Sequence, residues 1–390
     1  MSKQIVSAAP KIRIVQLTTV HHREDTRIVF RECAEVAKVW GPELVLVVSD
    51  GKGNDFQGNL RIVDIGKPAG GRIGRAILGG ILAFRTVRRH KPEYLHFHDP
   101  ELIPVGLLCK IMGMRVIYDV HEWVPYQIMR KFWLPQLLRR PIALLMSCVE
   151  KMAGRWMDRI VAATPKIGRR FPLEKTVLIQ NFPITGELET AGRLAYEKRP
   201  PEFAYIGGIT RLRSGVEMVQ AIGKLGLESK VKLHMAGSFR PAEFGTELEG
   251  VAGWEFVTFH GWAGRAKVAE ILGCTRAGIV LCYPYYGYVD SQPVKLFEYM
   301  SAGLPIIASD FPLWREIIEG AQAGLLVDPQ DPEAVCDAMK WILDNPKQAK
   351  KMGEKGKRAV VETYNWKRES VKLIAMYRDL FGTKKDTRHM

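Results

Sequence analysis

Short apolar runs alternate with stretches whose apolar residues recur every three or four positions, and this continues along almost the whole chain. Runs of four to seven such residues read as strands buried on both faces, and the longer periodic stretches read as helices covering them. In the first half the pattern predicts strands at 11–17, 44–48, 59–65, 94–97, 115–119, 158–162 and 176–179. It predicts helices at 28–39, with Ile28, Cys33, Val36 and Val39 on one face, at 77–89, after His98, and after Pro141, a residue suited to a helix start. The Gly-rich basic stretch 67–80 lacks G-K-[ST] and reads as a flexible loop entering the second of these helices. A polar segment at 183–201 reads as a linker.

A second alternation then begins, with strands at 202–206, 231–236, 254–259, 278–281, 305–308 and 324–327. Helices follow at 214–225, 265–272, 294–302, 312–318 and 332–343, then a helical end at 346–381 and a loose tail from Gly382. Strand–helix repetition of this kind predicts an α/β protein with two doubly wound parallel sheets, whose ligands sit at the carboxyl ends of the strands. His21, His22, His98, Asp99, Glu101, His121 and Glu122 all fall on loops at such ends in the first half.

The second half is organised around residues 290–303, DSQPVKLFEYMSAG, where a loop runs into a helix. Asp290 and Glu298 stand eight positions apart. Between them the first helical turn, at Val294 and Lys295, offers free backbone N–H groups and a partial positive charge that suit a phosphate. A carboxylate on the same helix can take hydrogen bonds from ribose hydroxyls.

Composition narrows the reading. At 390 residues, 47% hydrophobic and 25% charged, the chain is long enough for two globular domains. No run approaches the length of a membrane span, and no signal-peptide core opens the sequence, so a cytoplasmic protein is expected. Six scattered cysteines without C-x-x-C predict neither zinc nor disulfides. The net charge of +15 is uneven: 67–91 holds seven Lys or Arg and no acid, and 126–170 holds ten against Glu150 and Asp158. Such a surface attracts phosphates of nucleic acid or anionic lipid. Without aromatic–basic interleaving or a reading helix, nucleic acid is not expected. In the helix after Pro141, Leu145, Cys148, Val149, Met152 and Trp156 share a face flanked by bases. That fits an interfacial helix at the inner face of the cell membrane, or a core-facing helix with a solvated basic side.

Residues 290–310 resemble the signature of family 4 glycosyltransferases, retaining enzymes of the GT-B fold, with Asp290 and Glu298 at its two Glu positions and AGLPIIASD following. DVHEW at 119–123 matches that family's D-x-H-E/D pattern, and HDPEL at 98–102 a stretch of its bacterial polysaccharide members. The resemblance implies a GT-B architecture: an acceptor-binding domain over 1–190, a nucleotide-sugar domain over 200–364, a cleft between them, and a terminal helix at 365–382 packing back on the first domain. It implies His121 and Asp290 at the reacting sugar, with Arg211 and Arg213 neutralising the diphosphate, alongside Gly208 in the same loop. Glu298, Lys295, Val294 and Gly261 are placed at the nucleotide, and His98, Asp99, Glu101 and Glu122 at the acceptor.

The chain contains no D-x-D, so fixed cations rather than a metal are expected to stabilise the leaving group. The expected reaction is metal-independent transfer, with retention, from a nucleotide-diphosphate sugar, UDP-linked, to a lipid-linked or growing glycan in cell-surface polysaccharide biosynthesis. The alternatives are a GDP-mannose-dependent transferase, a nucleotide-sugar epimerase of the same fold, and a non-enzymatic binder of anionic polymers.

Overall fold

The computed structural model describes residues 13–386 except 130, 132, 133, 189–193, 228, 229 and 286, and excepting the side chains of 72, 73 and 383–386. The described residues form two compact units. One runs to Gln180 and resumes at Glu369, and the other is Asn181–Arg368. The predicted linker, 183–201, therefore falls within the range of the second unit, and its residues 189–193 lie outside the described residues.

The first unit holds an eight-stranded sheet in the order β3-β4-β2-β1-β5-β6-β7-β8. Its strands are β1 Ile14–Leu17, β2 Leu44–Val48, β3 Asp55–Gln57, β4 Leu60–Asp64, β5 Tyr94–Phe97, β6 Arg115–Val120, β7 Arg159–Ala162 and β8 Thr176–Leu178. All pair in parallel except β3, a short exposed edge strand antiparallel to β4 that the apolar pattern does not show. β2 is buried at every position, as a strand covered by helices on both faces must be.

Alternation along the strands divides the sheet into two faces. Val15, Leu17, Leu95, Phe97, Val116, Tyr118 and Val120 enter one apolar core. Their neighbours Gln16, His96 and Asp119 therefore point to the other face. There lie the helical segment Ile28–Cys33 with Ala34–Trp40, and the terminal helix Trp366–Asp386, whose Tyr377 and Phe381 pack against Trp40 and Tyr94. That helix runs on to Asp386, so 382–386 are ordered helix rather than loose tail, and 387–390 lie outside the described residues.

Three other expectations change. Ile28, Cys33 and Val36 are buried as read, but Val39 is exposed. The 67–80 stretch is already helical from Gly71, through a π-helical turn at Arg75–Gly79, into helix Gly80–His90. Pro141 lies inside helix Gln136–Trp156, and Pro135 is the residue at its start.

The second unit holds a wholly parallel six-stranded sheet, β11-β10-β9-β12-β13-β14. The strands are β9 Glu202–Ile206, β10 Lys232–Ala236, β11 Val257–Phe259, β12 Ala277–Val280, β13 Ile306–Ser309 and β14 Gly324–Val327. One apolar core covers each face, one around Phe203, Leu233 and Ile279, the other around Leu272, Tyr299 and Trp314. Burying a Leu, Ile or Phe side chain contributes roughly 1.5–3 kcal/mol, so these two cores fix the strand ends where the loops converge.

Candidate functional site

Chemistry-bearing side chains collect at the carboxyl ends of the strands in each unit.

In the second unit, β9 is followed by Gly207, whose φ of 123° lies in the region open to glycine. A Cβ there would stand 3.1 Å from Lys295 Nζ and 3.3 Å from its Cε, so only glycine lets the lysine approach. Lys295, in the first turn of helix Val294–Ser301, lies with its ammonium 3.8 Å from the centroid of the Tyr205 ring. Burial, reinforced by the charge of Arg213, lowers its pKa to about 7. Arg213 curls under the same loop and donates from NH1 to the Gly208 carbonyl at 3.1 Å. Among the described residues no carboxylate lies within 4 Å of either cation.

Arg211 parts from them. It is exposed, ion-paired with Glu247, and set over the Phe244 ring. Two cations do converge as expected of a diphosphate site, but they are Arg213 and Lys295. The loop between them also buries Thr210 Oγ1 and Ser214 Oγ without partners. Ser214 adopts a φ of 52° where the chain turns into helix Gly215–Gly226.

Glu298, in the second turn of its helix, accepts from Arg265 NH1 at 2.6 Å, and Arg265 Nε also faces Glu187 at 2.9 Å. Arg265 is thus a site residue that the sequence reading missed. It opens helix Arg265–Cys274, four residues beyond Gly261, and nothing in the pattern links it to Glu298. Gly261 has a φ of 64°, open space beside its Cα, and a carbonyl that accepts from Gly237 N at 2.6 Å. Val294 begins its helix, and Asp290 stands half-buried in the turn before it.

In the first unit, Asp99 is buried, and its Oδ2 accepts from Thr18 Oγ1 at 2.9 Å and the Thr19 and Val20 amides at 2.6 and 3.2 Å. That carboxylate ties down the loop after β1 rather than standing free for an acceptor. Glu101 is held by Arg75, at 3.0 and 3.2 Å, and by Thr19 Oγ1 at 2.8 Å. His22 and Glu122 are both exposed. His21 bonds Asp25 at 3.0 Å. Burial opposes its charged form, but that bond and the charges of Asp99 and Asp25 outweigh it and raise the pKa.

His121, with 13% of its side chain exposed, holds Nε2 3.3 Å from Asp119 Oδ2 and 3.2 Å from His98 Nδ1. His98 is fully buried, and burial pushes its pKa to about 3, leaving it neutral. Asp119 is also fully buried. Burial works against its ionisation, but the charges of Arg27 and His121 prevail and hold it well below the usual carboxylate range.

Glu32, His96, His98 and Asp119 place one ligand-type atom each within 4.8 Å of one another, a set that could in principle hold a metal. Arg27 already lies at 3.0 Å from Glu32 Oε1 and 3.1 Å from Asp119 Oδ1. A guanidinium bridging both carboxylates takes the place of the cation, and a divalent ion beside it would be repelled.

Two parallel α/β units, each with its polar cluster at the strand ends, define the GT-B class of fold. Residues 200–345 match the family model described as Glycosyl transferases group 1. The phosphatidyl-myo-inositol mannosyltransferase of Mycobacterium leprae is 25% identical over 244 residues, covering 60% of this chain and 63% of that protein. The MMP alpha-(1->4)-mannosyltransferase of Mycolicibacterium hassiacum is 25% identical over 316 residues, covering 76% and 73%. Among solved structures, sucrose-phosphate synthase from Thermosynechococcus elongatus superposes with a TM-score of 0.73 at 18% identity, covering 95% of this chain and 100% of that one. Anabaena HepE in complex with UDP and glucose gives a TM-score of 0.70 at 11% identity over 96% and 100%. Residues 200–345 are thus similar to the group 1 glycosyltransferases, and the two units share the GT-B fold of these solved structures.

Proposed function

We propose that the chain moves a sugar, with retention, from a nucleoside-diphosphate sugar to a hydroxyl of a lipid-linked or growing glycan. The observation that carries this reading is the pair Arg213 and Lys295. Two cations meet at a half-buried loop with no carboxylate within 4 Å among the described residues, and burial and the neighbouring arginine lower the lysine's pKa to about 7. An anion between them would restore the lysine's charge, and a diphosphate supplies two such groups.

Charge on the leaving diphosphate is met by groups already in place, so catalysis is positioning and charge stabilisation. With the leaving phosphate oxygen taking the acceptor's proton on the same face of the sugar, no carboxylate nucleophile is needed. Glu298, kept in place by Arg265, retains acceptor capacity for ribose hydroxyls. Neighbours solved with UDP and UDP-glucose favour a uridine donor, and relatives named as mannosyltransferases favour a hexose.

The test is a thermal-shift panel of UDP, GDP and their sugars on wild type and Lys295→Met. We expect UDP compounds to raise the melting temperature of wild type and not of the variant. A larger shift with GDP would make the donor GDP-linked, and no shift with any nucleotide would refute the reading.

The acceptor's lipid portion has a matching surface in the first unit. Helix Gln136–Trp156 packs inward through Ala143, Ala153 and Gly154 and turns Leu137, Leu144, Leu145 and Trp156 to solvent. Helix Ile103–Ile111 lies beside it and exposes Ile111. Arg140, Lys151 and Arg155 flank this apolar band. Such a band costs free energy in water and gains it in a headgroup layer, where the bases meet anionic lipid. Among the described residues no helix is long and apolar enough to cross a membrane, so contact would be peripheral.

A further inference from the structure

Beneath His121 lies a buried polar network that the reaction above does not use. Gln16, His96 and Asp119 occupy consecutive strands on the sheet face away from the apolar core, with register partners Gln16 and His96 side by side. Arg27 donates to Asp119 and to the Ile179 carbonyl, at 3.1 and 2.9 Å, fixing the carboxylate from below. Tyr377 of the terminal helix bonds His96 Nδ1 at 2.8 Å.

The hydrogens in this network can be assigned in order. Burial raises the Cys33 thiol well above its ordinary pKa, so it stays protonated and donates to Gln16 Oε1 at 3.0 Å. That oxygen also faces His98 Nε2 at 3.3 Å, and an amide oxygen can only accept. Neutral His98 then carries its hydrogen on Nε2, and its Nδ1, 3.4 Å from Asp119 Oδ2 as well as 3.2 Å from His121 Nε2, carries none. The hydrogen between His98 Nδ1 and His121 Nε2 must then come from His121. Asp119 Oδ2, at 3.3 Å from the same nitrogen, adds a negative charge beside it.

We propose that Asp119, clamped by Arg27, is a positioning residue for His121, fixing it as the Nε2–H tautomer so that Nδ1 is the nitrogen presented to ligand. Nδ1 of a neutral imidazole accepts from a sugar hydroxyl, and the carboxylate behind the ring holds it in that tautomer and orientation. The charged and titratable groups around His121 are His98 on β5, Asp119 on β6, His21 and Asp25 after β1, Glu122 beside it, and Arg27 beneath. The inference rests on the transferase reading for its kinetic arm only.

Nitrogen-15 shifts of His121 in the full-length wild-type protein give the tautomer directly. Nε2–H is expected, and Nδ1–H overturns the proposal whether or not the protein transfers sugar. In kinetics, Asp119→Asn is expected to lower kcat by roughly tenfold or more, with the donor KM unchanged within about twofold. Glu32→Gln alters the same network at Arg27 without touching His121, and should leave kcat within about twofold and the Nε2–H signal in place. If both variants lower kcat equally, or neither does, Asp119 is only structural and the proposal fails. Absence of transfer in wild type would overturn the transferase reading while leaving the tautomer measurement intact.

Discussion

Lys295 shows at the residue scale how a binding group weakens the empty protein. Its pKa in the fold is near 7, against 10.5 in an unfolded chain, so the folded state binds fewer protons between those values. Stability therefore rises with pH across that window, and the penalty is fully present below it. Lys295→Met should raise the ligand-free melting temperature most at pH 6, with the gap to wild type closing towards pH 10. A gap independent of pH would mean that the ammonium is well solvated. Of these residues, Lys295, Arg213 and Glu298 could be singled out from residue type and position as a candidate phosphate-and-ribose grip. Arg265 could not, because its partner lies 33 residues away and only the fold joins them. The network under His121 left a fainter trace. Gln16, His96 and Asp119 are polar residues inside otherwise apolar strands, which is where a strand needs polar partners from outside itself.

At the scale of elements, strands were the easiest to read, since a parallel strand buried on both faces is a continuous apolar run. β2, β5, β9 and β14 lie where the pattern put them. Edges and connections were harder. β3 is exposed and carries no apolar signal, and helix Phe244–Glu249 is too short to establish a period. Pro141 misled because it lies in the second turn of helix Gln136–Trp156, beyond the first-turn positions that suit proline, and Pro135 is the residue at the start. The terminal helix is anchored by more than apolar contact. Its Tyr377 hydroxyl is the partner of buried His96 Nδ1, and His96 Nε2 has none. Tyr377→Phe leaves that imidazole without a hydrogen bond and should destabilise the protein by about 1–3 kcal/mol in urea unfolding. Val371→Ala, at an exposed position of the same helix, should stay within about 0.5 kcal/mol. Equal losses would show that the hydroxyl contributes nothing to the anchoring.

For the whole molecule, the net charge of +15 and the apolar band would act on different parts of the proposed membrane encounter. Long-range attraction brings a basic protein to an anionic surface and is screened over a Debye length of about 8 Å at physiological salt. Buried apolar area does not respond to salt in that way, so the two contributions separate in one titration. Wild type should co-sediment with vesicles containing phosphatidylglycerol and not with pure phosphatidylcholine, and added salt should weaken binding without abolishing it. Leu144→Asp with Leu145→Asp removes apolar contact at a surface where neither side chain supports the core, so the melting temperature should hold. For this variant, binding at low salt should fall by roughly tenfold or more, because each large side chain withheld from the lipid forfeits about 1.5–3 kcal/mol. Residual binding should then vanish on adding salt, since only the charges remain. Undiminished vesicle binding by the variant would refute docking through this band, and loss of a wild-type dimer in its place would assign the band to a second copy of the chain.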